Sequence, residues 1–536
     1  MLDRRSFLKV ALAAQACAAL PATAGAQGLR FGPALPFSYE GLKAHARALA
    51  GAPYASPPTP DPKLVAAIDY DAYGRLKFKP EFALYGDDEP GAYPITFMYV
   101  GNYFPKTVRM YAVEGRGDGA VAREILYDPR YFTIPADSPA AGLPADPSPF
   151  AGFWVREAKD AAGGWRKAEP WATFLGASYF RAVGELGQVG LSARGIALTP
   201  GGSTPEEFPD FVGFWFEPTP TPQEAVTVYA LLDGPSVAGA YRFLMRRTKG
   251  VVMEIEKTLF FRRSVDRLGL APLTSMYWYS ETVKQAGVDW RPEVHDSDGL
   301  ALWTGAGERI WRPLNNPAHI TVSSFIDQRP RGFGLMQRDR QFDHYLDGVL
   351  YDRRPSAWVE PLGDWGRGAV ELVEMPTDDE IDDNVVAYWC PEKPVTAGDS
   401  IALGYRLHWL ADEPYPTLLG RCIATRLGRG GQPGLPRPDG VRKFMVEFLG
   451  GPLTKLPFGV KPEPVLWASR GHFSYVYAEA VPDDVPGHWR AQFDLTVDGH
   501  DPVEMRLYLK AKDEVLTETW LYQYHPFQTD ARPTGF

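Results

Sequence analysis

Short runs of β-prone residues, each closed by a turn-forming residue, make up most of this 536-residue chain. Within a run, apolar and polar side chains alternate or the side chains are apolar throughout. This pattern is typical of strands, whereas helices need apolar residues three and four positions apart. The clearest runs are 226–232, 252–261, 401–410, 443–449, 493–497 and 503–510. The 53 glycines and 50 prolines supply turns between them, so the sequence predicts an all-β fold.

Helical periodicity is confined to three stretches. We predict short helices at 39–50, at 61–68, where a proline stands near the start, and at 236–248, where Ser236 can cap the first turn. Two pairs, Asp233-Gly234 and Asp498-Gly499, follow β-prone runs and suit tight hairpin turns. Helices are therefore expected to be additions to a protein made of strands.

The chain breaks most clearly at residues 391–399, which are rich in turn formers and precede a fresh alternating strand. We therefore predict a linker at 393–399. A large β-sandwich domain is expected before it, at 27–392. The segment 400–536 has the size of an immunoglobulin-like β-sandwich domain.

The N-terminus has the features of an export signal. A basic start is followed by an apolar stretch at 10–20 and a small-residue run at 24–26. The apolar stretch is about half of what a membrane span requires, so a cleavable signal is favoured over an anchor. Arg4 and Arg5 resemble the twin-arginine type, which makes the twin-arginine export machinery a partner. Cleavage near Ala26 would leave a periplasmic protein without a membrane anchor; a cytosolic protein with a chance arginine pair is the alternative.

Charge and cysteine content exclude several classes of ligand. The 66 acidic and 56 basic side chains give a net charge of -10 without a basic tract, which argues against nucleic acid and anionic membranes. The histidines are scattered and no Cys-x-x-Cys spacing occurs, so we expect neither a metal nor a cofactor. Two cysteines lie outside the signal, Cys390 and Cys422, and either a bridge or two buried thiols is compatible with the sequence.

Candidate chemistry is concentrated in residues 271–384, where carboxylates stand next to aromatic side chains. Rings stack on the apolar faces of sugars, carboxylates bond hydroxyl groups, and two acids can cleave a glycosidic bond. Glu293, Asp296 and Asp298 are candidates for a catalytic base or, alternatively, for capping a turn. The run 378–383 is either a solvated acidic loop or holds one protonated acid. Nucleophile-elbow and phosphate-loop motifs do not occur in the sequence.

Several motifs in this region resemble the family of periplasmic glucan biosynthesis proteins G and D, which act on osmoregulated periplasmic glucans. The resemblance covers the mature chain, and the twin-arginine signal is similar to the D branch. The motifs are Ala-Pro-Leu-Thr-Ser-Met at 271–276, Glu-Val-His-Asp-Ser-Asp-Gly at 293–299, Leu-Asn-Asn-Pro at 314–317, Gly-Phe-Gly-Leu at 332–335, Arg-Pro-Ser-Ala-Trp-Val-Glu-Pro at 354–361, Gly-Asp-Trp-Gly at 363–366, Asp-Asn at 383–384 and the segment 444–453.

The resemblance implies a large sandwich like those of carbohydrate-active enzymes, joined to an immunoglobulin-like domain. It also implies hydrolysis of the β-1,2-glucan backbone by an inverting endo-β-1,2-glucanase. In that scheme Asp383 is the general acid and Asp296 the general base, which acts through a relay of water and hydroxyl groups; Asp298 remains the alternative base.

The same resemblance suggests residues that contact the glucan. Each aromatic residue among them can equally be part of the core. The expected contacts are Asp298, Glu293, His295, Tyr277, Trp278, Trp311, Arg354, Trp358, Glu360 and Trp365. Two other functions stay open: a transglycosylase that cyclises or branches the glucan, and a non-catalytic glucan-binding or assembly protein. A homodimer is compatible with the sequence, although no motif supports it.

Overall fold

The computed structural model describes residues 28–87, 89–115, 117–202, 205–284 and 289–526. The predicted export signal, with its cleavage site at Ala26, lies outside the described residues. No helix of the described residues is long and apolar enough to cross a membrane.

Strands dominate the described residues. Three helices lie near the N-terminus: α1 (Tyr39–Ala50), α2 (Pro62–Ala66) and α3 (Tyr70–Gly74). The first strands are β1 (Arg30–Pro36), β2 (Lys77–Phe78), β3 (Ile95–Tyr99), β4 (Arg109–Glu114), β5 (Val121–Leu126), β6 (Phe132–Thr133), β7 (Phe150–Val155), β8 (Ala172–Leu175), β9 (Tyr179–Ala182), β10 (Ser192–Arg194), β11 (Ala197–Leu198), β12 (Asp210–Phe216), β13 (Val226–Asp233), β14 (Val237–Arg247), β15 (Val251–Phe261), β16 (Leu268–Ser275) and β17 (Tyr277–Tyr279).

The remaining strands include the C-terminal part of the chain. They are β18 (Val294–His295), β19 (Gly299–Trp303), β20 (Arg309–Pro313), β21 (Thr321–Gln328), β22 (Gly332–Met336), β23 (Ser356–Leu362), β24 (Arg367–Glu374), β25 (Val385–Pro391), β26 (Ser400–Leu410), β27 (Arg421–Arg429), β28 (Val441–Leu449), β29 (Glu463–Ala468), β30 (His472–Ala480), β31 (His488–Thr496), β32 (Val503–Ala511), β33 (Glu514–Val515) and β34 (Thr519–Tyr524).

Two large sheets pack face to face and form the main sandwich. The first has the order β1-β5-β4-β12-β13-β14-β15-β26-β23-β22-β19-β20-β34-β32-β29, with β33 beside β32. The second has the order β21-β24-β25-β16-β10-β9-β8-β7-β3, with β11 beside β16. Rings from both sheets meet in the core, as in the edge-to-face pair Phe174 and Phe214 at 5.6 Å. The predicted all-β sandwich is confirmed.

The first predicted helix is confirmed at its predicted bounds. The hydroxyl of Ser38 caps α1 by accepting the Gly41 N–H at 3.0 Å. The second helix is shorter than predicted, since α2 ends at Ala66; its cap is Asp61.

The third predicted helix, 236–248, is wrong, because this segment is strand β14. It pairs along its whole length with β13 and β15, and Ser236 donates to Glu207 at 2.6 Å instead of capping a helix. Asp233-Gly234 does form the predicted hairpin turn between β13 and β14. The Asp498-Gly499 pair does not, because β31 and β32 belong to different sheets.

The C-terminal sandwich begins later than the predicted boundary at residue 400. Strand β26, which was expected to open it, pairs with β15 and β23 in the large sheet. A turn-rich segment identifies a loop, but it does not tell which sheet the next strand joins. The sheet β27-β28-β31-β30 faces β29, β32 and β34, and β34 pairs in parallel with β20. The two sandwiches therefore share one continuous sheet.

The shared region has its own core. Phe444 and Phe493 of the four-stranded sheet pack against Trp520 of β34, and Trp311 and Trp358 of the main sandwich join the same cluster. Both cysteines of the described residues are free thiols, Cys422 buried in this core and Cys390 half-buried.

Candidate active site

The two predicted catalytic carboxylates lie on neighbouring loops at one end of the second large sheet. Asp296 follows β18, and Asp383 precedes β25. Asn384 anchors the second loop: its Oδ1 accepts the Tyr277 N–H at 2.8 Å, and its Nδ2 donates to the carbonyls of Tyr277 and Met375 at 2.9 Å. The backbone N–H of Asp296 donates to the carbonyl of Met276, the residue between β16 and β17. The loop of Asp296 therefore lies next to Tyr277, which Asn384 of the second loop contacts.

Asp296 is almost completely buried and forms an ion pair with Arg354. Burial raises the pKa of Asp296; the Arg354 guanidinium opposes this rise, and the charge of Asp383 adds to it. The two carboxyl groups are therefore close enough to interact electrostatically. A charged donor at one oxygen keeps the Asp296 carboxylate available as a hydrogen-bond and proton acceptor.

Asp383 lies in a cavity of about 400 Å³. The residue keeps a solvent-exposed surface, yet burial of its carboxyl group raises its pKa, against the charges of Arg194 and Arg181. Within the described residues, no side chain donates a hydrogen bond to this carboxyl group. Desolvation of this kind makes a carboxyl group easier to protonate than one in water. Tyr103, Phe104, Thr173, Leu175, Gly176, Ala177, Tyr179, Phe180, Arg181 and Ser192 line the cavity.

Asp298 holds a turn. Its Oδ2 accepts the backbone N–H groups of Arg338 at 2.9 Å and Asp339 at 2.8 Å. Its Oδ1 is buried without a hydrogen-bond partner in the described part of the chain. Of the two aspartates in the motif, Asp296 is the one whose pKa the charge of Asp383 raises.

A second network ties the acid loop to the base side of the cleft. Glu380, three residues before Asp383, accepts from Arg291 at 2.6 Å and from the Tyr351 hydroxyl at 2.7 Å. The hydrogen bond from Arg291 holds the pKa of Glu380 below its usual value, so it remains a carboxylate. The guanidinium of Arg354 lies 4.1 Å from the Tyr351 ring. These contacts link the two loops.

Glu293 and His295 form a buried pair behind Asp296. The Gln337 amide nitrogen has two N–H bonds and lies near three acceptors, His295 O, Tyr345 Oη and Tyr351 O, so the amide oxygen accepts from His295 Nδ1, at 2.9 Å. His295 Nε2 then faces Glu293 at 3.0 Å. Burial lowers the pKa of His295, but Glu293 outweighs it and raises the pKa to about 9. The pair is an imidazolium and a carboxylate that stabilise the strand below the site, away from the cavity of Asp383.

A metal ion has one candidate location among the described residues. Ligand atoms of Glu293, Asp339 and His344 lie within 4.8 Å of one another. Glu293 is already bonded to His295, and His344 Nδ1 lies 2.5 Å from Asp339. An ion would have to compete with both contacts.

Most of the aromatic residues expected to contact substrate serve the core instead. Trp311, Trp358 and Tyr277 are buried, so no ring face is free for a sugar. Trp278, half-buried, packs edge-on against Tyr279. Trp365 packs near Trp389 and Tyr405 and donates to the Gly404 carbonyl at 3.2 Å. Glu360, the carboxylate that is also expected to contact the glucan, instead bonds His408 and Tyr415, each at 3.0 Å. Aromatic residues that are close to the carboxylates in the sequence do not surround them in the fold, because adjacent residues of a strand point to opposite faces of the sheet.

The residues that do surround Asp383 come from a part of the chain that the sequence analysis did not single out. Tyr103 and Phe104 lie on the loop after β3, and Tyr179 and Arg181 lie on β9. Arg194 of β10 is buried, donates to Thr274 at 2.7 Å and bonds Glu206. An arginine on a strand is an ordinary surface residue by pattern alone, and only the fold brings it to the acid loop.

An all-β sandwich with two neighbouring carboxyl groups, Asp296 buried and Asp383 exposed at a cavity, has the groups that a carbohydrate-active protein uses. The chain belongs to a family within that class, since the family described as periplasmic glucan biosynthesis protein, MdoG, matches residues 37–524. It is 59% identical to glucans biosynthesis protein D 2 of Ralstonia nicotianae, over all of both chains. It is 45% identical to glucans biosynthesis protein D of Stenotrophomonas maltophilia, over 98% of each chain.

Among solved structures, a polysaccharide lyase is similar over 70% of this chain and 44% of its own, at 11% identity and a TM-score of 0.23, which is too low to support an argument. Family membership assigns the protein to periplasmic glucan biosynthesis, as the sequence motifs predicted.

Proposed function

We propose that the protein cleaves the β-1,2-linked backbone of periplasmic glucans as an inverting endo-glucanase, with Asp383 as general acid and Asp296 as general base. The observation that carries the proposal is the different environment of the two carboxyl groups. Asp296 is buried and paired directly with Arg354, whereas Asp383 is exposed at a cavity, has no hydrogen-bonded cation among the described residues, and has a pKa that desolvation raises. Acid and base chemistry requires such a difference.

The proton transfers follow from these environments. Asp383, protonated because burial disfavours its charge, donates its proton to the glycosidic oxygen as the bond to the anomeric carbon breaks. A water molecule attacks that carbon from the opposite face. Its proton passes through water and hydroxyl groups to Asp296, whose charge Arg354 maintains until then. The product has the inverted anomeric configuration.

Product analysis tests this assignment. Purified protein without residues 1–26 is expected to shorten linear β-1,2-glucan and to release the α-anomer first, which nuclear magnetic resonance detects. Asp383→Asn is expected to lower kcat by about 10²–10⁴-fold, which is the usual contribution of general acid catalysis, since the amide cannot donate the proton. Asp382→Asn changes an exposed neighbour and should retain activity.

Other outcomes of the same experiment would contradict the proposal. Cyclic or re-linked products in mass spectra would indicate a transglycosylase on the same backbone. Binding without any change in glucan length, at high protein concentration, would indicate a non-catalytic glucan-binding protein. Full activity of Asp383→Asn would falsify the assignment of the acid.

The export route is part of the proposal. Residues 1–26 act as a twin-arginine signal, supported by Arg4, Arg5 and the periplasmic family. Replacing both arginines with lysine is expected to retain the full-length chain in the cytoplasm, and mass spectrometry of the exported wild-type protein should give an N-terminus at Gln27. Unimpaired export of the double variant would contradict this route.

A further inference from the structure

A second cavity, of about 770 Å³, lies where the main sandwich meets the C-terminal sandwich. The main sandwich contributes Leu186, Arg353 and Ala411 to its walls. The C-terminal sandwich contributes Arg421 and Ile423 from β27 and Leu449 from β28. Both units therefore build this space, which we call the interdomain cavity.

The interdomain cavity is near the cavity of Asp383, because one connection of the chain borders both. Arg181 on β9 lines the cavity of Asp383, and Leu186, in the connection from β9 to β10, lines the interdomain cavity. Five residues span at most about 18 Å. A short oligosaccharide covers such a distance.

The same connection packs against the partner of the proposed base. A Cβ atom added at Gly184 would lie 2.6 Å from Pro355, and one added at Gly190 would lie 3.1 Å from Arg354. Arg353, which lines the interdomain cavity, directly precedes Arg354, so their Cα atoms are about 3.8 Å apart. The cavity thus begins one residue away from the ion pair of Asp296.

The charges of this cavity favour an uncharged ligand. Arg421 is paired with Asp412 at 2.6 Å, and Arg338 with Glu518 at 2.6 Å. Arg340 donates to the Ala411 carbonyl at 2.7 Å and lies in the field of Asp298, Asp352 and Asp412, and Arg353 is paired with Asp352 at 3.7 Å. Because carboxylates already balance these guanidinium groups, the cavity suits hydrogen bonds to the hydroxyl groups of a neutral ligand better than the binding of an anion. Leu186 and Ile423, exposed to 42% and 43%, add apolar surface.

We propose that the interdomain cavity is a remote subsite for the neutral glucan chain, so that the C-terminal sandwich takes part in substrate binding. The inference rests on the proposed function in taking glucan as the substrate. A chain that is cleaved beside Asp383 runs along the β9–β10 connection and ends between the two sandwiches. Long glucans reach the subsite and short oligosaccharides do not.

Calorimetry in the Asp383→Asn background tests the subsite, with linear β-1,2-glucan of long and of short chain length as probes. Ile423→Asp and Leu186→Asp place a charge in the cavity and are expected to weaken the binding of long chains about tenfold, with short chains unaffected. Val485→Asp is the matched control, since Val485 is 44% exposed on the C-terminal sandwich and does not line the cavity. Two variants from different units keep the test valid if one of them fails to fold.

Each result distinguishes this inference from the proposed activity. Equal affinity of all variants for long chains would overturn the subsite, even if the wild-type protein hydrolyses glucan. Length-dependent binding that both variants weaken would support it, even if wild-type protein leaves the glucan intact. A loss that is equal for short and long chains would also overturn it, because the charge would then act on the cleavage site.

Discussion

Arg354 compensates the negative charge of Asp296 in its buried surroundings. An ion pair compensates a buried carboxylate only while its partner is present, and removal of the partner leaves an uncompensated charge. The carboxylate then takes up a proton at a higher pH, because burial and the charge of Asp383 both raise its pKa. The protonation state of Asp296 thus depends on Arg354.

Arg354→Met is therefore expected to change the pH dependence of cleavage. The pKa of Asp296 rises without the guanidinium, so the acidic limb of the profile of kcat against pH should move to higher pH and the maximum should fall at least about tenfold. Arg367→Met, which removes an exposed arginine paired with Glu392, is the control. An unchanged acidic limb in Arg354→Met would exclude Asp296 as the group that titrates there.

Lys257 is a buried amine in the core of the main sandwich, and no carboxylate of the described residues forms an ion pair with it. Burial lowers its pKa to about 7. Its Nζ donates to the Gly195 carbonyl at 2.9 Å and lies 5.6 Å and 5.5 Å from the ring centroids of Tyr241 and Tyr405. The Tyr241 hydroxyl donates to the same carbonyl at 3.0 Å, so Gly195 stays satisfied if the lysine is replaced.

Lys257→Met is expected to stabilise the protein by on the order of 2 kcal/mol near pH 7, because the ring contacts offset only part of the cost of burying the amine. The folded pKa lies below the unfolded one of 10.5, so the penalty is complete below pH 7 and disappears as pH rises to 10.5. Denaturant unfolding at several pH values measures it. Lys249→Met, at an exposed site, should show no gain. A gain that grew with pH would contradict this account.

The loops around the site are positioned by single side chains at the ends of strands. Asn384 directly precedes β25. Its side chain makes three hydrogen bonds to backbone groups, which regular strand pairing would otherwise make. A buried amide in that position fixes Asp383, the residue directly before it. The pair Asp-Asn at 383–384 therefore combines one reactive group and one group that holds it.

Asn384→Ala tests this positioning. Loss of three buried hydrogen bonds is expected to cost about 2–4 kcal/mol of unfolding free energy. Displacement of Asp383 should lower kcat about 10–100-fold, with a smaller change in KM. Thermal unfolding and steady-state kinetics measure the two effects. A variant that is destabilised but retains the wild-type kcat would show that Asn384 supports the fold alone.

Strand patterns were readable from the sequence wherever local chemistry determines the element. Helix α1 has its predicted bounds because Ser38 and the apolar spacing act within a few residues. The predicted helix at 236–248 is wrong, because the apolar residues of this segment fit both the helical and the strand period. Pairing with β13 and β15 makes the segment a strand. The motifs predict Asp296 and Asp383 as the catalytic pair, and this assignment stays a prediction. Arg181 and Tyr103 could not be predicted, because only long-range pairing brings β9 and the loop after β3 to them.

At the scale of the whole molecule, the two sandwiches are not independent. The last strand pairs with β20, and the aromatic residues of both units share a core. The indole rings of Trp311 and Trp358 belong to this common core, which explains why they are unavailable to a sugar. A large shared apolar interface favours a fixed arrangement of the two units.

A chain truncated after Leu410 is expected to be insoluble or unfolded. It would keep β26 and every earlier strand but would expose the common core and leave β20 as a free edge. Soluble yield and circular dichroism of residues 27–410 test this. A truncated protein that unfolds cooperatively near the temperature of the full-length chain would show that the sandwiches are separable.

The parallel pairing of β20 with β34 also bears on the order of folding and export. Ile310 of β20 pairs with Thr519 of β34, about 200 residues later in the sequence, so the large sheet becomes continuous only after both segments have been synthesised. Until then β20 has an unpaired edge. Because the proposed twin-arginine route transports folded cargo, we expect the pairing of β20 with β34 to precede transport.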